Sequence, residues 1–164
     1  MQTYKNLELI IVDDASKDSS LALAQSLAEK DSRIKVFSLE KNSGAGTVRN
    51  YAISKAEGDW LAILDADDVF LQDKLALQVE IVSKPGSDIV LIGTDSYEID
   101  MEGNRFSSQK YPTRSKSLIN NLVHQKRFPP HSSLMYRADI VKTIGGYDNR
   151  LCPSEDYNLW LHLT

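Results

Sequence analysis

The sequence is poor in cysteine: Cys152 is the one cysteine among 164 residues. An internal disulfide is therefore impossible, which is consistent with a reducing compartment. No apolar run in the sequence approaches the roughly 20 residues that a membrane-spanning helix needs. The N-terminus also lacks the charged and apolar regions of a signal peptide. These absences favour a globular protein over a secreted disulfide scaffold or a membrane span.

The chain also lacks a basic block, internal repeats and low-complexity tracts. Its net charge is −4, so it has no electrostatic footprint for nucleic acid. Hydrophobic residues make up 41% of the sequence and charged residues 26%, as in ordinary globular domains. The length suffices for one domain with a real core and is too short for two comfortable ones.

Apolar segments alternate with helical patterns over the first 95 residues. Strands are predicted at Leu7–Val12, Ile34–Leu39, Trp60–Leu64 and Asp88–Thr94. Helices are predicted at Ser20–Lys30, at about Thr47–Ala56, and around Leu75, Val79 and Val82. This alternation is typical of an α/β fold with a mostly parallel sheet. Later elements are predicted as a hairpin at 97–106, a strand at 133–136, and helices at 115–124, 138–144 and 154–163.

Carboxylates follow two of the predicted strands. The first strand runs into Asp13 and Asp14, and the third runs into Asp65, Asp67 and Asp68. Like charges this close repel one another, and a divalent cation such as Mg²⁺ would remove that repulsion. A solvated acidic loop is the alternative, and either interpretation fits the third strand taken alone. Because ligands bind outside the carboxyl ends of strands in such sheets, the position of Asp14 favours function over a local turn bond.

Three other positions have both a structural and a functional interpretation. Arg49 follows the loop Gly44–Gly46, which lacks the full spacing of a phosphate-binding loop, so Arg49 is either a phosphate ligand or a surface residue. His131 follows two prolines and is either structural or close to a substrate. Glu155 and Asp156 open a predicted helix, where the helix dipole favours negative charge. The functional alternative is a general base, with Glu155 raising the pKa of Asp156 by repulsion.

Four segments, taken in order, resemble the motifs of GT-A glycosyltransferases, in particular the inverting group called family 2. They are Leu9–Ser16, Asn42–Gly44 with Val48–Asn50, Leu64–Asp68, and Gly145–Asp148 leading to Glu155–Asp156. The resemblance covers nearly the whole chain. It implies a Rossmann-like three-layer αβα sandwich with a mostly parallel sheet. It also implies transfer of a sugar from a nucleotide-diphosphate sugar to an acceptor hydroxyl, with inversion in a single metal-assisted displacement.

The resemblance implies roles for four residues on the donor side. Asp14 would recognise the nucleotide base, Arg49 would line the nucleotide pocket, and Asp65 would lie towards the ribose. Asp67 would hold Mn²⁺ or Mg²⁺ at the diphosphate, where the cation stabilises the leaving nucleoside diphosphate. Residues 1–95 would form this nucleotide-sugar-binding half of the domain.

Residues 96–164 would form the acceptor-side half. Asp156 would be the catalytic base that takes the proton from the attacking hydroxyl, through a transition state of oxocarbenium character. His131 and Glu155 would lie on the acceptor side. The acceptor implied by the family is a polysaccharide or a glycolipid, at a cytoplasmic location that includes the membrane face.

Two departures from the family pattern stand out. Family members usually begin with a further strand and helix before the segment that corresponds to Gln2–Tyr4, and Thr164 falls inside the last predicted helix. We therefore expect residues 1–164 to be a partial catalytic domain that lacks the usual first strand and helix. Such a sheet would expose an edge, which a second copy of the chain would cover in a homodimer.

Two functions of other classes also fit parts of the sequence. A signalling receiver domain has an acidic pair after an early strand, and Asp65 would then be its phosphorylated residue. That interpretation leaves everything after about residue 120 unexplained. A domain that binds nucleotide or saccharide without turnover is the other alternative.

Overall fold

A computed structural model of the chain describes residues 2–124, 126, 128–151 and 153–163, so that Cys152 lies outside the described residues. Its strands are β1 Leu9–Asp13, β2 Ile34–Ser38, β3 Trp60–Ala62, β4 Leu91–Ile92, β5 Ser96–Ile99, β6 Arg105–Gln109 and β7 Met135–Arg137. Its helices are α1 Ser20–Ala28, α2 Ala45–Lys55, α3 Lys74–Val82, α4 Ser115–Val123, α5 Ala138–Thr143 and α6 Glu155–His162. Of the helices in these residues, none has the length and apolar character to cross a membrane.

The chain divides into two compact units. The first contains residues 1–4, 62–137 and 160–164, and the second contains residues 5–61 and 138–159.

The second unit contains a parallel pair of strands. β1 and β2 pair from Leu9 with Ile34 to Asp13 with Ser38. α1 connects them, as a parallel pair requires, because the chain must cross back before the second strand begins. The sequence patterns predicted these three elements, and the structure confirms them within one or two residues at each end.

The first unit contains an antiparallel pair and a hairpin. β4 pairs with β7, Leu91 with Tyr136 and Ile92 with Met135. β5 and β6 form the hairpin predicted at 97–106. The core of the unit includes fully buried side chains on α4 and around β7: Leu122, Leu134, Met135 and Tyr136.

Two strand predictions were too long, and the expected parallel pairing fails at β4. β3 ends at Ala62, not at Leu64, and β4 covers two residues of the predicted 88–94. The partner of β4 is β7, which the chain reaches through the hairpin, α4 and the turn at His131–Ser133. Near the end of β4, a Cβ on Gly93 would lie 3.0 Å from Leu134 Cδ2, so the backbone there packs closely against the segment before β7.

Candidate functional site

Asp14, which follows β1, is hydrogen-bonded to the loop that precedes α2. Its Oδ1 accepts the backbone N–H of Ser43 at 2.7 Å, and its Oδ2 accepts that of Gly44 at 2.9 Å. Gly44 has φ +83°, a left-handed conformation that favours glycine. Both carboxylate oxygens of Asp14 therefore help to fix the backbone where α2 begins.

Asp13 is the buried member of the same acidic pair, with 8% of its surface exposed. Its carboxylate accepts the backbone N–H of Ser16 at 3.1 Å and the Ser38 hydroxyl at 3.3 Å. Hydrogen bonds from the Ser16 side chain, the Ser16 backbone and Ser38 lower the pKa of Asp13. Ala15, which lies between Asp14 and Ser16, has φ 58°, a conformation that residues other than glycine rarely adopt. The turn after β1 is thus held in an uncommon backbone geometry.

We expect Asp14→Ala to destabilise the chain, because two backbone N–H groups lose a charged acceptor. The loss in the free energy of unfolding should be about 2–3 kcal/mol. Asp14→Asn keeps one acceptor oxygen and should give an intermediate loss. Asp18→Ala, which removes exposed local hydrogen bonds to Ser20, is the control and should lose less. Urea denaturation measures all three, and a wild-type midpoint for Asp14→Ala would contradict the structural role.

Arg49, on α2, lies between Tyr147 and Glu155 in the second unit. Its Nη1 is 3.4 Å from Glu155 Oε1, and its guanidinium lies 5.6 Å from the centroid of the Tyr147 ring. One fifth of the Arg49 side chain is exposed. The sequence indicated Glu155 as one of two acidic residues at a helix N-terminus. The structure adds a cationic partner, Arg49, from another helix.

Glu155 and Asp156 begin α6 and differ in their surroundings. Glu155 is buried, and within the described residues its Oε2 has no hydrogen-bond partner. Asp156 is half-buried, and its Oδ1 accepts the N–H of Tyr157 at 2.6 Å. The two adjacent carboxylates are therefore different chemically: one is paired with arginine, and the other lies at the helix start with part of its surface open to solvent.

Asp65 is the centre of the candidate cluster in the first unit. Its backbone N–H donates to Ser132 Oγ at 3.0 Å, and its Oδ2 lies 3.9 Å from His131 Nδ1. About a third of its side chain is exposed, and Asp67, two residues later, is exposed as well. The structure thus brings Asp65 and His131 together, as two of the predicted site residues.

His131 is buried in a cluster of aromatic side chains. The Trp160 ring meets it edge-on with centroids 5.9 Å apart, and the Tyr136 ring is 6.4 Å away. The Trp160 indole N–H donates to the Tyr136 hydroxyl at 2.9 Å, which fixes both rings. Sequence reasoning missed Ser132, Tyr136 and Trp160, because aromatic and hydroxyl residues next to a predicted strand carry no signal beyond ordinary core positions.

The described residues contain no group of three or more His, Cys, Asp or Glu side chains placed to hold a metal ion. These described residues therefore do not form a metal site whose ligands all come from protein side chains. A surface carboxylate at Asp67, beside the partly exposed Asp65, fits instead the way in which Mg²⁺ is bound by one or two carboxylates and completed by water and substrate phosphates.

A family model described as glycosyl transferase family 2 matches residues 1–145. An uncharacterized glycosyltransferase of Haemophilus influenzae is 35% identical over 140 residues, which are 85% of this chain and 54% of that protein. The O-antigen biosynthesis glycosyltransferase WbnJ of Escherichia coli is 32% identical over 165 residues, 99% of this chain and 62% of that protein. The chain spans about half the length of the first curated relatives it matches.

Two solved structures are similar in fold. TarS 1-349 of S. aureus, in complex with UDP, superposes with a TM-score of 0.71 at 24% identity, over 96% of this chain and 46% of that one. The mannosyltransferase PcManGT of Pyrobaculum calidifontis, in complex with GDP-Man and Mn²⁺, gives 0.68 at 20% identity, over 96% and 43%. These similarities confirm the predicted α/β fold of GT-A type.

Proposed function

The chain belongs to glycosyl transferase family 2, and we propose that it transfers a sugar from a nucleotide-diphosphate sugar to an acceptor hydroxyl. The proposed reaction is a metal-assisted single displacement that inverts the anomeric carbon. The membership leaves the receiver-domain interpretation of Asp65 without support, because the family match extends to residue 145.

The observation that carries the proposal is the fixed Asp65 beside an exposed Asp67. Ser132 holds the backbone of Asp65, and His131 lies next to its carboxylate. Asp67 is then presented to solvent two residues later, where a ligand can reach it. An Asp-x-Asp pair in which the backbone of the first residue is anchored and the carboxylate of the second is exposed suits a diphosphate that arrives with its cation.

The residues fit Mn²⁺ or Mg²⁺ at Asp67, with Asp65 towards the ribose. When bound, the cation would neutralise the negative charge that develops on the leaving diphosphate. Asp14 and Arg49 complete the proposed donor side, residues 1–95. The complexes of TarS with UDP and of PcManGT with GDP-Man support a nucleoside diphosphate as the donor's carrier group.

On the acceptor side, residues 96–164, we assign the general base to Asp156. Its carboxylate is partly open to solvent at the start of α6, so it can accept a proton from an acceptor hydroxyl. Glu155 and His131 are assigned to the acceptor side as well. The proposal includes a saccharide or glycolipid acceptor, a cytoplasmic location at or near the membrane face, and a homodimer as the assembly.

Calorimetric titration of the complete gene product with UDP, GDP and dTDP tests the donor site. At least one nucleotide should bind in MnCl₂ or MgCl₂, and EDTA should weaken binding by roughly tenfold, or about 1.4 kcal/mol. Asp67→Asn should give the same loss without EDTA. Asp68→Asn, which changes an adjacent exposed carboxylate, is the matched control and should bind like wild type.

The outcomes separate the competing functions. Absence of binding to all three nucleotides would overturn the proposal. Binding without transfer from any of the corresponding sugar donors would instead support the domain that binds nucleotide without turnover. Metal-dependent binding together with transfer supports the enzyme.

A further inference from the structure

One face of α2 carries Gly46, Arg49, Asn50 and Ile53, which recur at the spacing of neighbours on a helix surface. We call these four residues the α2 face. All four lie against the segment in front of Asp156, within the second unit; the described residues of this segment are 146–151 and 153–155. The segment ends immediately before Asp156.

Asn50 makes a two-point hydrogen-bonded bridge to the backbone of Tyr147. Its Nδ2 donates to the Tyr147 carbonyl at 2.8 Å, and its Oδ1 accepts the Tyr147 N–H at 2.8 Å. A primary amide used in this way replaces a strand neighbour, since it satisfies both polar groups of one residue. No other side chain of similar size offers one donor and one acceptor in this geometry.

Gly146 permits the close approach that the bridge needs. A Cβ at Gly146 would collide with Asn50 Oδ1 and would lie 3.8 Å from Ile53 Cδ1. Both glycines have a positive φ, +88° at Gly145 and +74° at Gly146. A Cβ at Gly145, however, would meet nothing within 4 Å. Gly145 is therefore favoured by its backbone conformation alone, whereas Gly146 is required both by its conformation and by its contact with the α2 face.

The other two members of the face contact the far end of the segment. Arg49 pairs with Glu155 and covers the Tyr147 ring. Gly46 leaves room for the side chains opposite: a Cβ there would lie 2.6 Å from Asn149 Oδ1 and 3.5 Å from Glu155 Cγ. The α2 face thus holds the segment at both of its ends.

We infer that Asn50 is a positioning residue, and that the α2 face sets the place of Asp156 by holding the segment in front of it. This rests on the proposed function, because the placement matters for the reaction only if Asp156 takes the proton. It assigns Arg49 a positioning contact with Glu155, in addition to the nucleotide role that the family resemblance implies. Loss of positioning lowers kcat, whereas loss of a nucleotide ligand raises the Kd for the nucleotide.

The test compares Asn50→Ala, Asn50→Asp and Gly146→Ala with wild type in the complete gene product. Asn50→Asp keeps the acceptor but puts a carboxylate oxygen against the Tyr147 carbonyl, so it should lose at least as much as Asn50→Ala. We expect kcat to fall by about 10- to 100-fold in Asn50→Ala and Gly146→Ala, since a shift of about 1 Å in a reacting group has such an effect. The donor KM and the Kd for UDP or GDP with MnCl₂ should stay within about twofold of wild type, the range of a change below 0.5 kcal/mol.

Gly145→Ala is the matched control. It imposes the same kind of backbone strain as Gly146→Ala, but the new methyl group meets no neighbour. It should lose stability and keep kcat when both variants are assayed well below their unfolding temperatures. Equal kcat losses in the two variants would overturn the inference, because the effect would then be general destabilisation.

Two further measurements separate this inference from the proposed function. If Asp156→Asn transfers sugar like wild type, the proposed function fails. If Asp156→Asn is inactive and Asn50→Ala has a wild-type kcat, the inference alone fails. Hydrogen exchange of amides 146–151 and 155–159 needs no donor: Asn50→Ala should speed exchange there and spare β1 and β2, and unchanged exchange would overturn the inference.

Discussion

Asp156→Asn is expected to reduce sugar transfer by about 10²- to 10⁴-fold, the contribution of a positioned general base. An asparagine cannot accept the acceptor's proton at this position, while its size and polarity are nearly those of aspartate. Nucleotide binding should be unchanged, because the donor side is assigned to Asp14, Arg49, Asp65 and Asp67. The measurement is kcat with a saturating sugar donor, together with the Kd for its nucleoside diphosphate.

Asp139→Asn provides a closely matched control for that experiment. Asp139 lies in the first turn of α5, and its Oδ1 accepts the N–H of the next residue, Ile140, at 2.8 Å. Asp156 makes the equivalent bond to Tyr157 at 2.6 Å. Both substitutions therefore change the same local hydrogen bond and the same helix-terminal charge. Activity retained in Asp139→Asn and lost in Asp156→Asn isolates proton transfer, and equal losses would remove Asp156 as the base.

The sequence predicted the elements that follow from local pattern. β1 and β2 are short strands rich in apolar residues that end in polar ones, and their parallel pairing follows from the helix between them. The hairpin turn was also predictable, since Asp100 accepts the N–H groups of Glu102 and Asn104 around Gly103 at φ +84°. Each of these features depends on residues close together in the chain.

The contacts of the α2 face were not predictable in this way. Asn50 and Tyr147 are 97 residues apart in the sequence. The two motifs that contain them resemble those of the family, but neither motif indicates that the two residues are in contact. The same holds for Asp14, whose carboxylate binds the backbone of Ser43 and Gly44 about 30 residues later. A side chain that bonds a distant backbone leaves no periodic signal in the sequence. The structure shows these backbone contacts of Asp14, and its role as a nucleotide ligand stays a prediction.

α3 shows how an apolar pattern can identify a helix without identifying its buried residues. Leu75, Val79 and Val82 predicted the helix, but its buried positions are Lys74, Gln78 and Val82. Gln78 explains this, since its Nε2 donates to the Ser133 carbonyl at 3.1 Å and to the Ile92 carbonyl at 3.3 Å. The helix turns a polar stripe inward because backbone carbonyls next to β4 and β7 need donors.

Lys74 is the most unusual side chain on that stripe. It is 9% exposed, its Nζ donates to Gln78 Oε1 at 2.9 Å, and it lies 3.9 Å from the centroid of the Phe70 ring. Burial lowers the pKa of Lys74 to about 8, from 10.5 for a solvated lysine. The ring and the amide stabilise the ammonium group only partly, so the folded protein holds this proton less tightly than the unfolded chain does.

We therefore expect the contribution of Lys74 to stability to rise with pH. Below pH 8 the lysine is charged in both states, and the full cost of burying the charge, about 3 kcal/mol, weighs on the folded state. Between pH 8 and pH 10.5 the unfolded chain binds more protons than the folded one, so the free energy of unfolding increases with pH. From pH 7 to pH 10 the gain from this one group is about 2.5 kcal/mol.

Lys74→Met removes the titrating group while keeping an unbranched apolar chain against Phe70. The difference in unfolding free energy between wild type and Lys74→Met, measured by urea denaturation, should shift in favour of wild type by about 2.5 kcal/mol from pH 7 to pH 10. Taking the difference between the two proteins cancels the contributions of the tyrosines and the other lysines that titrate in this range. Lys116→Met changes an exposed lysine in the first turn of α4 and should not reproduce the slope. A Lys74→Met difference that stays constant with pH would show that the ammonium is solvated in the folded protein, whatever the net effect of the substitution at pH 7.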